Sequence, residues 1–589
     1  MSVTTKSSLP TYSIKINGAA ISSTIFIISV SVSKQVNDYA KATITVLDGS
    51  ATFEVSSSDT FVPGNSIEIT AGYDGNESLL FRGMVTGQSL VIDQEVGSLL
   101  LVECCDLCVK MTVAKNVKTF YNMSDSAIIQ SIVQNYSGIS SSITDTNLTV
   151  QQRVQASVTD WDFILSLAST NGMIVSAVNN QLTVAPPDAQ TTDVLTVTFG
   201  DNLLDFNANL DSVQQLAAVE VSSWDVTLQA VQSTKDNNTC AGPGNISSVE
   251  LSKVVGLSEY PLETTTMLSE TERSLRAKAT LTKANYAKIV GKAKIQGSTL
   301  VEPTCYIELV GLGGRFNGSH FVSGIAHSIA NGNWTSEISI GLPAEWWPTQ
   351  QIVTSEAVQG IKGLYNATVK QIGNNPSDPF SILVTVPVLD PSGTGIWARI
   401  SQFYASNGAG AFFMPEVGDE VIVGFLNDES GSPVVLGSIY SNPKHEPNNG
   451  LQLEETNPLK AIVSKSGIAL MFDDSNKVLT LKTPSGNTLM LSDLNKQILI
   501  QDQNGNHLDM SDSGISLKSL KNISIQSDQT LSLEGNIGIE LKSSGGDISM
   551  QGVNIKHAAD MTYNVSASES MDLQSGIEMK LRSNMIFIN

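Results

Sequence analysis

Apolar and polar positions alternate with period two along most of this 589-residue chain. That is the pattern of strands with one buried face. "YSIKINGAAI" and "KATITVLDG" are early examples, each closed by turn residues. Near the C-terminus the alternation contracts into isolated apolar pairs. Ile515 with Leu517, Ile523 with Ile525, Leu531 with Leu533, and Ile539 with Leu541 recur every eight residues. Ile548 with Met550, Val553 with Ile555, Met571 with Leu573, and Ile577 with Met579 continue the series with altered gaps.

Three stretches break the period-two pattern with helical spacing. Ile128, Ile129, Ile132 and Val133 follow a Ser124 or Asp125 cap and stop at Gly138. Trp161, Ile164, Leu165 and Ala168 follow Thr159 or Asp160 and stop at Gly172. Ser269 to Asn285 reads as a third helix. Residues 1–345 therefore form an α+β base dominated by strands. A linker at 346–361 follows, beginning in the aromatic pair between Pro343 and Pro348. From 362 to 445 five strands, "LYNATVKQI", "FSILVTVPV", "IWARISQFYA", "DEVIVGFLN" and "SPVVLGSIY", suit a small OB-fold barrel. After a second linker at 446–466, strands spaced about ten residues apart predict a meander over 467–514.

The octad from 515 to 589 poses a burial problem. Two inward aliphatic residues contribute roughly 3–6 kcal/mol per strand, against about 1–2 kcal/mol of backbone entropy for each of eight residues. One chain cannot hide that edge alone. A single-chain β-helix needs a longer coil, and a calcium-binding β-roll needs a Gly-Gly-x-Gly-x-Asp repeat that only "SSGGD" approaches. Three chains, each giving one strand per layer of a triangular prism, pair every ladder and close the edges. With about 4.8 Å between strands, some nine octads predict a stiff needle roughly 40–45 Å long.

Composition refines this picture. The chain is 41% hydrophobic and 15% charged, rich in residues that favour strands. With 34 basic and 57 acidic residues its net charge is −23, a surface that repels nucleic acid and anionic lipid. The barrel range 363–440 holds only Lys370 and Arg399 against seven acidic residues, so single-strand binding is excluded on charge. Phe403, Tyr404, Phe412 and Phe413 are then core or interface residues. The start "MSVTTKSSLPTYSIKI" has no apolar run of signal-peptide length, and no stretch is long enough to span a membrane. Synthesis in the cytoplasm is expected. Five cysteines, Cys104, Cys105, Cys108, Cys240 and Cys305, do not suggest a disulfide framework.

Candidate chemistry is sparse. Cys105-x-x-Cys108 lacks the second ligand pair of a structural zinc site and sits in an alternating stretch, so it reads as buried thiols. "GLGGRFNG", Gly311 to Gly318, lacks the Lys-Ser/Thr ending of a phosphate loop and reads as a hairpin turn. Glu416, Asp419 and Glu420, like Asp473 and Asp474, read as solvated turn charges. His320 and His327 read as neutral structural histidines. No catalytic residue, metal ligand or cofactor is expected.

A β-rich base, an OB barrel and an octad prism, in that order, resemble the VgrG-type spike proteins of contractile injection systems, themselves like a fusion of phage tail hub and cell-puncturing spike. "GAFFMPEVGDEVIVGFLNDESGSPVVLGSIYS" carries the resemblance most specifically: Pro415, Gly418, Asp419, Glu420 and Val421, then Gly424, Phe425, Pro433, Val434, Gly437 and Tyr440 match the family's barrel core. "TDWDFILSLASTNGMIV" and "RFNGSHFVSGIAHSI" match its hub more weakly. The resemblance implies a homotrimer whose base, with two barrel-like lobes per chain, meets the hexameric ring of an inner tube protein and other baseplate proteins. It implies mechanical piercing with transient membrane contact, possible effector cargo, and delivery outside or into the target cell on firing. Trimer-core positions are Ile515, Leu517, Ile523, Ile525, Leu531, Leu533, Ile539, Leu541, Ile548 and Met550. His507 and His557 stand apart, so the His-x-His metal tip of some phage spikes is not expected. Met585, Ile586, Phe587, Ile588 and Asn589 instead look like a platform for a PAAR-type tip protein. A receptor-binding tail spike or fibre is the alternative, and a glycan hydrolase hidden in the base is a third class; the one needs a sugar-binding end domain, the other a carboxylate pair.

Overall fold

The computed structural model describes residues 9–50, 53–94, 97–189, 191–225, 228–344, 346, 360–375, 378–441, 444–447 and 451–588. The chain divides into two compact units, Met1–Pro447 and Asn448–Asn589.

The first unit is built on a 13-stranded sheet assembled from distant parts of the chain. Strand Gly318–Ala330 is the seam, pairing with Ile27–Gln35 on one side and Asn333–Ile340 on the other. Two apolar cores lie on the two halves of this sheet. One gathers Val32, Ile44, Ile69, Phe81 and Val102, all buried. The other gathers Val197, Ile307, Leu309, Val322 and Ile338. Alternation explains both: Lys41–Leu47 reads exposed, buried, half-buried, buried in register with its sequence.

Four α-helices are attached among the described residues. Helix α1 (Asp125–Val133) is capped by Ser124, whose hydroxyl accepts from the Ala127 amide. Helix α2 (Asp160–Thr170) is capped by Thr159 in the same way. They pack into a third core with Phe120 and Val184. Helix α3 (Ser248–Val255) has no counterpart in the sequence reading, although Ser247 and Glu250 form a full capping box and Gly256 ends it. It is only eight residues long, and Leu251 is its one buried apolar side chain, so periodicity does not mark it. Helix α4 (Glu270–Tyr286) carries a second capping box at Ser269 and Glu272 and covers Val219 and Val221.

Five strands close the barrel, in the order Leu364–Ile372, Ser381–Thr385, Ile396–Ile400, Pro433–Ser438, Glu420–Phe425. Each lies within its expected segment. Val369, Val384, Ile396, Val421, Val423 and Val435 fill the interior. The linker at 346–361 lies outside the described residues except for Trp346, Gly360 and Ile361.

The second unit opens with a seven-stranded antiparallel meander from Leu459–Val463 to Gly514–Lys518. It is wider than the expected 467–514. Leu459–Val463, inside the anticipated linker, pairs with Ala469–Asp473, and Gly514–Lys518, the anticipated first octad, pairs with His507–Ser511. Beyond Lys518 the chain makes bends at 520–521, 528–529, 536–537, 544–546, 553, 560–561, 568–569, 576–577 and 584. No described residue after Lys518 pairs with a strand of the same chain.

Candidate functional site

The bends after Lys518 recur at the period of the apolar pairs, so the octad is a geometric unit: a straight segment, then a corner. Side chains sort accordingly. Ile523, Leu531, Ile539 and Met571 are each about half exposed, at 50%, 53%, 56% and 48%. Ile537, Val553 and Ile577 sit at corners and are wholly exposed, at 105%, 101% and 101%. This corrects two of the pairs. Val553 and Ile577 are corner residues, and the half-exposed apolar residues on the straight segments after them are Ile555 and Met579, at 48% and 49%. The error arose because an apolar residue at a corner also lies two positions from an apolar residue on a straight segment. Tyr563 with Val565 is a further pair that the polar and aromatic substitutions hid; His557 and Tyr563 stack with ring centroids 5.8 Å apart. The same corner bond recurs 48 residues apart: Ser527 Oγ donates to the Thr530 carbonyl, and Ser575 Oγ to that of Glu578. Ile515 and Leu517 belong to the meander; Ile523, Ile525, Leu531, Leu533, Ile539, Leu541, Ile548 and Met550 lie along the tail.

The meander carries a second uncovered surface. Its register aligns Ile462, Leu470, Leu481, Leu489, Ile500, Leu508 and Leu517 in one row. A second row, two residues along each strand, runs Lys460, Phe472, Leu479, Leu491, Ile498, Met510 and Ile515. Positions i and i+2 of a strand share a face, so both rows lie on one side of the sheet, with Lys460 the sole polar member. None of these residues is buried; Leu481, Leu491 and Ile498 are 43%, 41% and 41% exposed. A groove of about 810 Å³ on this unit is lined in part by Leu481, Leu489, Ile500, Leu508, Leu517 and Ile523. Covering this face is worth roughly 10–15 kcal/mol per copy, taking about 1 kcal/mol for each half-exposed aliphatic chain.

At the end of the chain Met585, Ile586, Phe587 and Ile588 follow the bend at Asn584 and are all exposed, Phe587 and Ile588 by 85% and 86%. Asn589 lies outside the described residues.

The barrel motif is a turn-and-core signature. Gly418 adopts φ +99°, which a side chain would strain, and its amide donates to the Val369 carbonyl. Asp419 accepts from the Glu416 amide, Glu420 from Asn366, and Val421 and Phe425 point inward. Pro415 is buried beside this turn, and Gly437 lies on the closing strand. Phe403, Tyr404, Phe412 and Phe413 are exposed, which rules out the core and leaves the interface reading. A loop of the barrel is also tied to the base. The buried Glu429 carboxylate accepts from the hydroxyls of Thr264, Thr265 and Thr266 and from the Thr266 amide. Several charge-assisted bonds to one buried carboxylate hold base and barrel in fixed register. Nothing in the sequence pointed to it, because the partners lie about 165 residues apart.

The chemical candidates settle on structural roles. Cys104 and Cys108 are buried free thiols; burial pushes Cys104 up to about 12 and raises Cys108 further still, so neither is a nucleophile at neutral pH. Residues 311–318 form the turn between strands Tyr306–Val310 and Gly318–Ala330. No group of His, Cys, Asp and Glu among the described residues is arranged to hold a metal. His320 and His327 are buried within the base. Burial, and secondarily the Lys34 ammonium, pushes His327 down to about 3. The unfolded chain therefore takes up a proton near pH 6.5 that the folded chain refuses until about pH 3. This group's contribution is full above pH 6.5 and is lost as pH falls toward 3, by on the order of 5 kcal/mol at the limit. His327→Asn is expected to flatten the fall of the thermal midpoint between pH 7 and pH 4; an unchanged acid slope would refute the assignment.

Comparison with known proteins agrees with this geometry. Residues 6–331 match a family model described as the Alg8 N-terminal domain. Residues 365–440 match one described as the type VI secretion system/phage-baseplate injector OB domain. No curated protein matches the chain in sequence. Among solved structures, the lidded PdpA–VgrG complex of Francisella is 11% identical, with 87% of this chain and 81% of that one aligned at TM-score 0.53. The half-lidded form is 10% identical, covering 88% and 89% at TM-score 0.52. The E. coli c3393 protein, a type VI secretion component similar to T4 tail proteins gp27 and gp5, aligns over 72% of this chain and 99% of its own at 12% identity and TM-score 0.46. At these identities the likeness is one of fold: the chain has the VgrG-type fold, mostly β, with its OB barrel. Among the described residues no helix is long and apolar enough to cross a membrane.

Proposed function

The chain belongs to the Alg8 N-terminal domain family, and from that membership, its injector-type barrel and its unpaired tail we propose that it is the homotrimeric central spike of a contractile injection machine. One observation carries the reading: a tail with a corner every eight residues and no backbone ladder of its own. A chain turning through a third of a circle per octad returns to the same prism face after three octads, about 14 Å further along at ~4.8 Å per layer. Two strands fit in that gap, one from each of two other copies. Only then are the tail's amides and carbonyls paired and its apolar pairs buried. The uncovered meander face supports the same threefold axis, on which three such sheets pack side chain to side chain.

The role is mechanical rather than enzymatic. The base docks on the hexameric ring of an inner tube protein and on baseplate proteins, the prism transmits force to a small area of membrane, and the apolar residues Met585 to Ile588, with Asn589, seat a PAAR-type tip protein. Effector cargo rides on the same assembly, in a particle made in the cytoplasm and fired outward. The acidic surface keeps such a particle soluble and free of nucleic acid. The test is the native mass, expected at three copies of 62.7 kDa; a stable single copy with an ordered tail ends the proposal. Deleting residues 584–589 is expected to abolish capture of the tip protein while the mass stays trimeric. Undiminished capture would move the tip platform elsewhere.

A further inference from the structure

A short hairpin, Ala405–Ser406 paired with Ala409–Gly410, stands on the barrel between its third and fourth strands in chain order. It is a built feature. The Ala411 amide donates to the Tyr404 carbonyl and Gln402 Nε2 to that of Phe413. Gly410 is at φ +141°, and a Cβ there would lie 2.7 Å from the Tyr404 carbonyl oxygen. On its two arms Phe403, Tyr404, Phe412 and Phe413 are 85%, 55%, 74% and 58% exposed. At about 200 Å² per ring that is roughly 500 Å² of aromatic surface, near the upper size of patch that a monomer leaves bare.

Charge points to the occupant. Residues 401–415 contain no Asp, Glu, Lys, Arg or His, in a chain whose net charge is −23. Two copies repel over most of their surface and approach without that repulsion only through an uncharged face. In a three-fold ring each contact is heterologous, so the hairpin must meet a different surface of its neighbour. The barrel offers one. Leu364, Gly424 and Val434 lie in register on the outer wall. Leu364 leans over Gly424, where a Cβ would lie 2.9 Å from its Cδ2 and 3.9 Å from Leu436 Cδ1. Leu364 and Leu436 are 64% and 52% exposed. A leucine lying across a glycine makes a low apolar seat suited to flat rings.

We infer that the aromatic hairpin of each copy docks on the Leu364–Gly424–Leu436 face of the next copy's barrel, sealing the barrels into a ring. This rests on the threefold reading. The test uses the full chain with Phe412→Cys and Leu436→Cys, both at exposed positions, treated with a short bis-maleimide. The double variant is expected to yield covalent trimers at least ten-fold above either single variant, the single variants reporting the background from the chain's own cysteines. Four outcomes overturn the inference. No excess cross-linking at a native mass of three copies leaves the trimer standing and removes the hairpin from it. Cross-linking by Phe412→Cys alone means that hairpins meet each other. Flotation with phosphatidylcholine vesicles that Phe412→Ser abolishes, without cross-linking, makes the hairpin a lipid contact. A single-copy mass overturns this inference and the threefold reading together.

Discussion

Aspartate at Leu489 and Leu491 is expected to leave the protein as single copies with folded base and barrel. Both residues lie on the central strand Thr488–Ser492 of the meander, on its apolar face. In the trimer the pair would place six carboxylates around one axis in a dry interior. An uncompensated buried carboxylate costs several kcal/mol, and like charges across the axis add to this. Two such carboxylates per copy, their mutual repulsion and the two lost leucine contacts together offset most of the roughly 10–15 kcal/mol that the face contributes per copy. The meander's own ladder is untouched, since its hydrogen bonds are within the chain, so the sheet survives. Sedimentation of the double variant should show one copy, and its tail should exchange amide hydrogens as an unfolded chain does. A trimeric mass would mean that the face does not lie on the axis.

Ile525→Asp should behave differently. Ile525 lies in the first octad after the meander, where no described residue is in a strand, so that in the proposed trimer its backbone partners come from the other copies. Three carboxylates there interrupt the winding of the tail but leave the meander faces packed. The expected product is a trimer whose protease-resistant core ends near residue 520, with loss of resistance to SDS. A fully resistant tail in this variant would count against the prism. The contrast between the two substitutions defines an order of assembly. The meander closes its hydrogen bonds locally and can form in one copy, so in the proposed trimer it is the part that gathers the three chains. The tail then winds from a nucleus already paid in entropy.

Much of this was legible residue by residue. The five barrel strands fell within their expected segments because each pairs a strict alternation with a Gly, Pro, Asn or Asp turn. Helices α1 and α2 followed from a capping residue ahead of an apolar stripe, and α4 lies within the segment Ser269 to Asn285 that reads as helix. The octad in the sequence became the octad of bends. Errors came where period alone was ambiguous: at Val553 and Ile577, where corner and straight-segment positions are both apolar, and at the meander's ends, where the same apolar pair occurs in a strand bonded within the chain and in a segment that is not. Nothing in Ile515 and Leu517 distinguishes these cases, since ladder bonding is a property of the neighbours.

Local pattern therefore settled the elements, the barrel and the eight-residue rhythm, because spacing along the chain dictates which side chains share a face. Long-range features needed three dimensions: the winding of one sheet past two cores, the carboxylate of Glu429 held by three threonines, and the alignment of thirteen apolar residues on one bare face. Those depend on which strands meet, and strand partners are chosen by the whole fold.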